Sequence, residues 1–422
     1  MKALALLVFG ICGTGLFAQN SQTAIASAAP ATPLESLIHE AEAKNPEIRV
    51  VTHSYQAAVH GSKAAGALPE TKITIQQLNT GSPRPFSGYT NSETTFTGIG
   101  ISQDLPWPGK RKLREQVAGL QARSVLDQSK AVDLNIVEQL RIAYYRLSYL
   151  QQDMMILTRD DKLLNDMEQI AEAQYRVGKG NQQEVLKAQL QHTQILEAMS
   201  SNRSRQAVEQ AELKRLLNRD QGSPDIVAEP LQESALPADP SEVLRLAAER
   251  NPDIAARKAL LASADKAVQL AHKEFRPDFG IQYLYENTDR RFRDRYLAGV
   301  TFTFPNRGRR RAELAQALEQ QKSADAALDA ETQARMAGVR QQYDIARLSS
   351  EQLKIYREGL LPQAQATFRA AMAAYQANRQ DFETLLSSFR DVLNVEEQYQ
   401  LQLSEHETAL ARLESLTGET LP

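Results

Sequence analysis

The sequence predicts a mainly α-helical protein with a small β part, built as two halves of one design. Three observations carry that prediction: the chain repeats itself, it twice switches to a period of two, and its proline-free helical stretches are unusually long. The repeat is plainest at Asn45-Pro46-Glu47-Ile48, which returns as Asn251-Pro252-Asp253-Ile254, 206 positions later. Each copy follows a short amphipathic stretch (37–44 and 243–250). Each precedes a proline that opens an alternating segment (Pro69, Pro277) and then a basic start to a long helical run (Pro108-Gly109-Lys110-Arg111 and Asn306-Arg307-Gly308-Arg309). Repetition on this scale makes each half one structural unit.

In chain order, Met1-Lys2 and the apolar run after it read as a secretory signal peptide over residues 1–18, too short for a membrane span. Cleavage is expected after Ala18, with Ala26 and Ala28 as alternatives. The only cysteine, Cys12, lies inside the run behind Ile11, where a lipoprotein signal would place a small residue. Cleavage at Ala18 leaves no cysteine, which excludes disulfides and thiolate chemistry. Residues 19–33 are a polar linker. No later stretch is apolar over the ~18 residues that a membrane helix needs, so any span must be a barrel.

The first repeat covers 34–217. Residues 34–66 read as helix broken at Asn45-Pro46, where proline suits a helix start. A β-hairpin follows over about 70–104, with Ile73 and Ile75 alternating with polar residues, a Gly/Ser/Pro/Asn loop over 79–93, and a return through Thr95, Thr97, Ile99 and Ile101. A helical hairpin then spans 110–217. Its first rod runs proline-free from Lys110 to Gln174, about 65 residues or roughly 95 Å. Its seam reads Ile136, Leu140, Ala143, Leu147, Leu150, Met154, Leu157 and Leu164, with Asp161 as a polar gap. Tyr175-Arg176-Val177-Gly178 ends it in a glycine turn.

Residues 218–240, rich in Pro, Asp and Ser, form a connector. The second repeat, 241–422, has a hairpin over about 277–305 and a helical hairpin over about 309–416. Phe279, Ile281, Tyr283 and Tyr285 alternate with polar residues, as do Tyr296, Ala298, Val300, Phe302 and Phe304. These strands have the ten-residue length that crosses a bilayer when tilted. Phe279, Ile281, Tyr283, Phe302 and Phe304 are the expected lipid-facing set. Pro362 should kink or locally break the second rod. Four strands leave two open edges, which lipid does not tolerate, so either several copies complete a barrel or the sheet is a small soluble one.

The net charge of −3, with 24% charged residues, gives no sign of nucleic-acid binding. A mean hydropathy of −0.45 reads as soluble, but alternating barrel strands leave the mean equally low. Six histidines are scattered without ligand spacing, and no phosphate-cradling loop or nucleophile elbow occurs. The sequence therefore predicts no enzyme, no metal and no cofactor. The basic clusters 110–112 and 307–311 are expected to cap a barrel mouth or attract anions.

The duplicated halves, the Asn-Pro-x-Ile motifs, the Gly-Lys-Arg and Gly-Arg-Arg helix starts and the Tyr-x-x-Gly tip resemble TolC-type outer-membrane factors, from about residue 33 to 418. The resemblance implies a homotrimer, with a 12-stranded β-barrel in the outer membrane continuous with a coiled-coil α-barrel tunnel in the periplasm. It implies a passive exit duct of a tripartite efflux pump or type I secretion system, coupled to a periplasmic adaptor and an inner-membrane pump. The adaptor would dock on Tyr175, Arg176, Val177 and Gly178, and on Tyr375, Asn378 and Arg379, where asparagine replaces the glycine. Some family members narrow the pore with an acidic ring. Thr384 and Ser387 stand at its places here, leaving Asp381 and Glu383 as nearby candidates for a constriction. The alternatives are an exported coiled-coil adaptor, which would need a compact β-domain, or a scaffold without a pore.

Overall fold

The computed structural model describes residues 31–79, 95–237, 239–288 and 294–419. The expected signal peptide, most of the expected linker and the tips of both strand loops lie outside these residues. The first half runs α1 (Leu34–Lys44), α2 (Pro46–Gly66), β1 (Lys72–Leu78), β2 (Phe96–Leu105), α3 (Lys110–Arg176) and α4 (Gln182–Leu216). The second repeats it as α5 (Pro240–Arg250), α6 (Pro252–Lys273), β3 (Asp278–Thr288), β4 (Asp294–Thr303), α7 (Arg307–Ile355), α8 (Leu361–Gln376) and α9 (Phe382–Thr417). The four strands form one antiparallel sheet in the order β1-β2-β3-β4. The two hairpins thus join through β2 and β3, leaving β1 and β4 as edges.

Helix α3, with 67 residues, spans about 100 Å and packs against α2, α4, α6 and α9. Each long rod is matched by two shorter helices placed end to end. Asn45 makes the first splice. As N-cap of α2, its Oδ1 accepts from the Glu47 N–H (2.8 Å), and its Nδ2 donates to the Leu216 carbonyl at the end of α4 (2.8 Å). Asn251 repeats this, accepting from Asp253 and Ile254 and donating to the Leu416 carbonyl (2.9 Å). Both asparagines are buried. One amide satisfies an orphan donor of one helix and an orphan acceptor of another. The chain leaves each splice through a left-handed residue, Asn218 (φ 52°) and Gly418 (φ 76°). At Gly418 a Cβ would stand 2.9 Å from the Arg250 carbonyl oxygen, so glycine is required.

Pro362 does not break the second rod. A single π-helical turn, Tyr356–Leu360, lies immediately before it, with Leu361 N–H bonded to the Tyr356 carbonyl. The wider turn absorbs the missing N–H and the ring, and α7 continues into α8.

The connector forms a belt around the rods. Tyr144 Oη donates to the Thr32 carbonyl and accepts from the Glu229 N–H, and Gln151 and Gln210 bond the backbone at Ile226 and Ala228. Further along, His406 is fully buried, with Nε2 2.9 Å from the Ser234 carbonyl, while Glu407 accepts from the Ser234 N–H and Oγ. Ile226 and Ala228 join the core of α1, α3 and α4, and a matching core forms from α5, α7 and α9. A third core, near the tips, draws on α3, α4, α8 and α9.

Replacing Asn45 with aspartate keeps the cap acceptor but removes the donor to Leu216. Asn45→Asp is expected to cost about 1–3 kcal/mol, the penalty of leaving a buried acceptor unmet. Thermal unfolding of the detergent-solubilised protein measures it, and a midpoint equal to wild type would show that the splice bond contributes nothing.

Candidate functional site

The sheet separates its residues by face. Direct cross-strand partners share a face, and the register aligns Ile73 with Ile101, Ile75 with Ile99, Ile101 with Tyr283, Phe279 with Phe302 and Ile281 with Val300. One side is therefore mainly apolar, interrupted by Gln103 opposite Ile281 and by Gln77, Thr97 and Asn287 towards the loop end, and much of it is exposed: Ile73 70%, Val300 60% and Phe302 58%. The other side carries Thr74, Gln76, Gly98, Gly100, Ser102, Gln282, Gly299 and Thr301, with Leu284 and Leu297 as apolar exceptions. Among the expected lipid-facing residues, Phe279, Ile281, Tyr283 and Phe302 sit on the apolar side. Phe304, just beyond β4, is also exposed.

Where strand passes to helix, Lys110 is not part of an exposed basic cap. It is buried, with Nζ 3.0 Å from Glu274, 2.9 Å from Asp278 and 2.9 Å from the Arg276 carbonyl. Arg114 and Arg310 also reach Glu274. Repeat-related helix starts thus converge on one carboxylate, since an ammonium removed from water needs such partners.

At the far end, both tips close with the same backbone geometry. Gly178 (φ 73°) donates to the Tyr175 carbonyl and Lys179 to the Gln174 carbonyl; Asn378 (φ 54°) donates to the Tyr375 carbonyl and Arg379 to the Ala374 carbonyl. Asparagine tolerates the left-handed conformation, so the departure from glycine leaves the turn intact. The side chains differ. Tyr175 is 48% exposed and Val177 69%, whereas Tyr375 is 3% exposed, packed edge-on against Phe382. The Tyr375 hydroxyl donates to Glu184 (3.1 Å). Burial and the adjacent Glu184 carboxylate raise its phenol well above the usual range. Arg176 and Arg379 remain at the turns, Arg176 with a distant pairing to Glu172 (3.9 Å).

Of the two acidic candidates, Asp381 caps α9, its Oδ1 accepting from the Thr384 N–H (2.8 Å) and hydroxyl (2.6 Å). These bonds hold its carboxyl below the usual range. Glu383 is ion-paired with Lys187. With Tyr375–Glu184 and Arg390–Gln191 (2.6 Å), that pair makes three ties between α4 and the second helical hairpin. Glu184, Lys187 and Gln191 lie on one face of α4 by their spacing.

The rods also hold buried acids that the expected seam missed. It stepped from Leu150 to Met154, but the structure buries Asp153, Leu157, Asp160, Leu164 and Met167. A strict alternation of three- and four-residue steps from Leu150 reaches Asp153 and Asp160. Asp161, the expected gap, is partly exposed and 3.0 Å from His192. Asp153 Oδ2 accepts from Asn202 (2.6 Å), and its other oxygen has no partner among the described residues. Arg159 pairs with Asp160 and with Glu396 of α9. Beside them, burial and then the Asp153 charge push the Glu397 carboxyl up to about 7. On the face of the rods away from the belt, a cavity of about 680 Å³ is lined by Arg146, Tyr149, Arg205, Glu209, Gln342 and Arg412. No group of acids and histidines suited to a metal ion occurs among the described residues, and none of the described helices is long and apolar enough to cross a membrane.

Comparison with known proteins defines the class. The model of the outer membrane efflux protein family matches residues 37–219 and 243–419, one match per repeat. The chain belongs to the outer membrane efflux protein family. Its fold is shared with crystal structures of CusC, studied for folding and transmembrane channel formation (TM-score 0.80, 17% identity, 92% of each chain covered). It is also shared with the open state of the Neisseria gonorrhoeae MtrE outer membrane channel (0.78, 18%, 92% of this chain and 89% of that one) and the Campylobacter jejuni CmeC outer membrane channel (0.76, 14%, 98% and 94%). No curated protein matches in sequence. The protein is an outer-membrane efflux channel that extends into the periplasm, and one chain contributes long helical rods and a four-stranded sheet. The readings as an adaptor or a poreless scaffold are thereby displaced.

The Glu397 carboxyl is raised above its ordinary 4.5, so the folded state holds a proton that the unfolded chain has lost. Its contribution to stability is complete below about 4.5 and declines as pH rises to about 7. Glu397→Gln should flatten that part of a melting-temperature profile, and an unchanged slope would remove Glu397 as its source.

Proposed function

We propose that three copies of this chain close around an axis to form the exit duct of a tripartite efflux pump or a related secretion system. The observation that carries this reading is the four-stranded sheet with one mainly apolar, exposed face and two unpaired edges. In lipid those edges must be paired, and β1 of one copy against β4 of the next pairs them without new elements. Two copies would give eight strands, a barrel whose interior side chains fill it; three give twelve and leave a lumen. The apolar side faces lipid, and the glycine- and threonine-rich side faces water. Below the membrane, the side of the rods away from the belt lines the tunnel, with Arg146, Arg205 and Arg412 contributing positive charge. Transport through such a duct is geometric, and no residue performs covalent work.

The tips are the docking surface for a periplasmic adaptor coupled to an inner-membrane pump. Tyr175, Arg176, Val177 and Gly178 present an exposed surface at the first tip, and Asn378 and Arg379 lie at the second. Tyr375 serves differently: its ring is internal and its hydroxyl ties the two hairpins. Asp381 and Glu383 sit beside these tips as the acidic groups nearest a constriction. Opening of the tunnel end requires the ties of Glu184, Lys187 and Gln191 to be exchanged for water or for adaptor groups.

Two experiments test this reading. Phe302→Arg should destabilise insertion by about 2–4 kcal/mol near the bilayer midplane, whereas Thr301→Arg, on the opposite face, should be milder; equal assembly defects would refute the facing. Gly178→Trp, strained by its left-handed backbone, should leave outer-membrane trimer unchanged while abolishing efflux. Normal transport by a fully incorporated Gly178→Trp protein would remove the docking role but leave the duct.

A further inference from the structure

The junction between barrel and tunnel breaks a local rule. The first turn of α3 contains Lys110, Arg111 and Lys112 with no acid, and the start of α7 contains Arg307, Arg309, Arg310 and Arg311, again with no acid in the first turn. Cations at a helix N-terminus oppose the helix dipole. The internal Glu274 cluster accounts for Lys110, Arg114 and Arg310. It does not account for Lys112, Lys273 and Arg276, which make no ion pair among the described residues. Lys273 reaches over the start of α3, where Gly109 has φ 90° and any Cβ would land on the Lys273 ammonium.

These three cations line a cavity of about 560 Å³ between α3 and α6. A second cavity, of about 530 Å³, shares Gly109 and Lys112 with it and is lined by Leu68, Leu105, Trp107 and Phe279, with the oppositely charged Arg111 and Glu115 on its α3 side. Leu105 and Phe279 are cross-strand partners on the apolar side of the sheet, at its helical end. Trp107, the only tryptophan of the chain, is fixed there by its N–H bond to Asp278 (2.7 Å). One continuous groove therefore passes from an apolar, aromatic wall into an unneutralised cationic pocket, at the level where the sheet ends and the tunnel begins.

We propose that this groove binds an anionic phospholipid of the leaflet facing the periplasm. Its phosphate lies among Lys112, Lys273 and Arg276, and its acyl chains lie on Leu68, Leu105, Trp107 and Phe279. A bound anion reverses the unfavourable dipole interaction of the α3 start and supplies the missing counter-charge. The aromatic residue at the headgroup boundary and the basic pocket beside it are the two parts that such recognition needs. The inference rests on the apolar side of the sheet facing lipid.

The test is native mass spectrometry of the full-length protein in detergent, titrated with phosphatidylglycerol, phosphatidylcholine or inorganic phosphate. Wild type should retain phosphatidylglycerol roughly tenfold more tightly than phosphatidylcholine. The triple variant Lys112→Gln, Lys273→Gln, Arg276→Gln should lose that preference while its phosphatidylcholine affinity stays unchanged. A control triple far down the rods, Lys162→Gln, Lys322→Gln, Arg340→Gln, should keep it. Equal affinity of wild type for the two lipids, or an undiminished preference in the first triple, overturns the proposal. Displacement of phosphatidylglycerol by inorganic phosphate at equal concentration also overturns it, because the site would then be one for a free anion. If the first triple fails to fold, Lys112→Glu decides alone, since Lys112 is exposed and bonded to nothing among the described residues: loss of preference supports the site and retention removes it. Failure to retain either lipid would instead refute the facing of the sheet.

Discussion

The constraint on which the molecule turns is the pair of open edges on its sheet. β1 and β4 each present a row of backbone donors and acceptors that water can satisfy and hydrocarbon cannot. A soluble protein would blunt such edges with charge, proline or a covering helix. Here β4 instead carries exposed Tyr296, Val300 and Phe302, and β1 carries Ile73 and Ile75. A surface of that kind is unfavourable in water and favourable in a bilayer, so the same feature that forbids a lone monomer in the membrane supports its assembly there. The duplication serves this requirement. Each repeat supplies one hairpin, and the internal β2–β3 pairing already joins the hairpins in the way that β4–β1 pairing between copies would extend.

A barrel on top of a long tunnel then poses a second problem. The rods must be continuous, yet each chain must pass repeatedly between strands and helices. The Asn-Pro splices solve it locally. Proline at N1 removes an N–H that would have had no partner, asparagine caps the next donors, and the same side chain reaches the last carbonyls of the helix above or below. The chain can therefore leave the wall at Asn218 or Gly418 while the wall itself continues. The belt uses the chain so released: residues 226–234 bond to buried polar groups on the rods, so the connector braces the wall rather than merely linking two repeats.

Much of this was legible in the sequence because it rests on periodicity and on residues with special backbone behaviour. The strands, the long rods, both tips and the Asn-Pro positions follow from a period of two, steps of three and four, and Gly, Asn or Pro at fixed places. Asn378 illustrates the limit of motif matching, since asparagine makes the same turn that glycine makes at 178. What the sequence did not reveal depends on partners distant in the chain. Lys110 reads as one of three exposed cations until Glu274 and Asp278 are brought beside it. Tyr375 reads as the twin of Tyr175 until Phe382 and Glu184 enclose it. Pro362 reads as a kink or a local break, and the disturbance takes the form of one wide turn just before it, after which the helix resumes.

The buried acids of α3 give the wall an uneven strength. Above them Leu140 and Leu147, and below them Leu164 and Met167, are fully buried in apolar cores. Asp153 lies between the cores and Asp160 between Leu157 and Leu164 of the second, with Glu396 and Glu397 beside them and Arg159 and Arg205 as counter-charges. Carboxylates withdrawn from water cost more than they return unless every oxygen is bonded, and one oxygen of Asp153 is not. The contact between α3 and α9, one of those that join the two repeats, is thus weakened along this band. Separating α3 from α9 at that level would expose charge that water welcomes, whereas separation at either core would expose leucine.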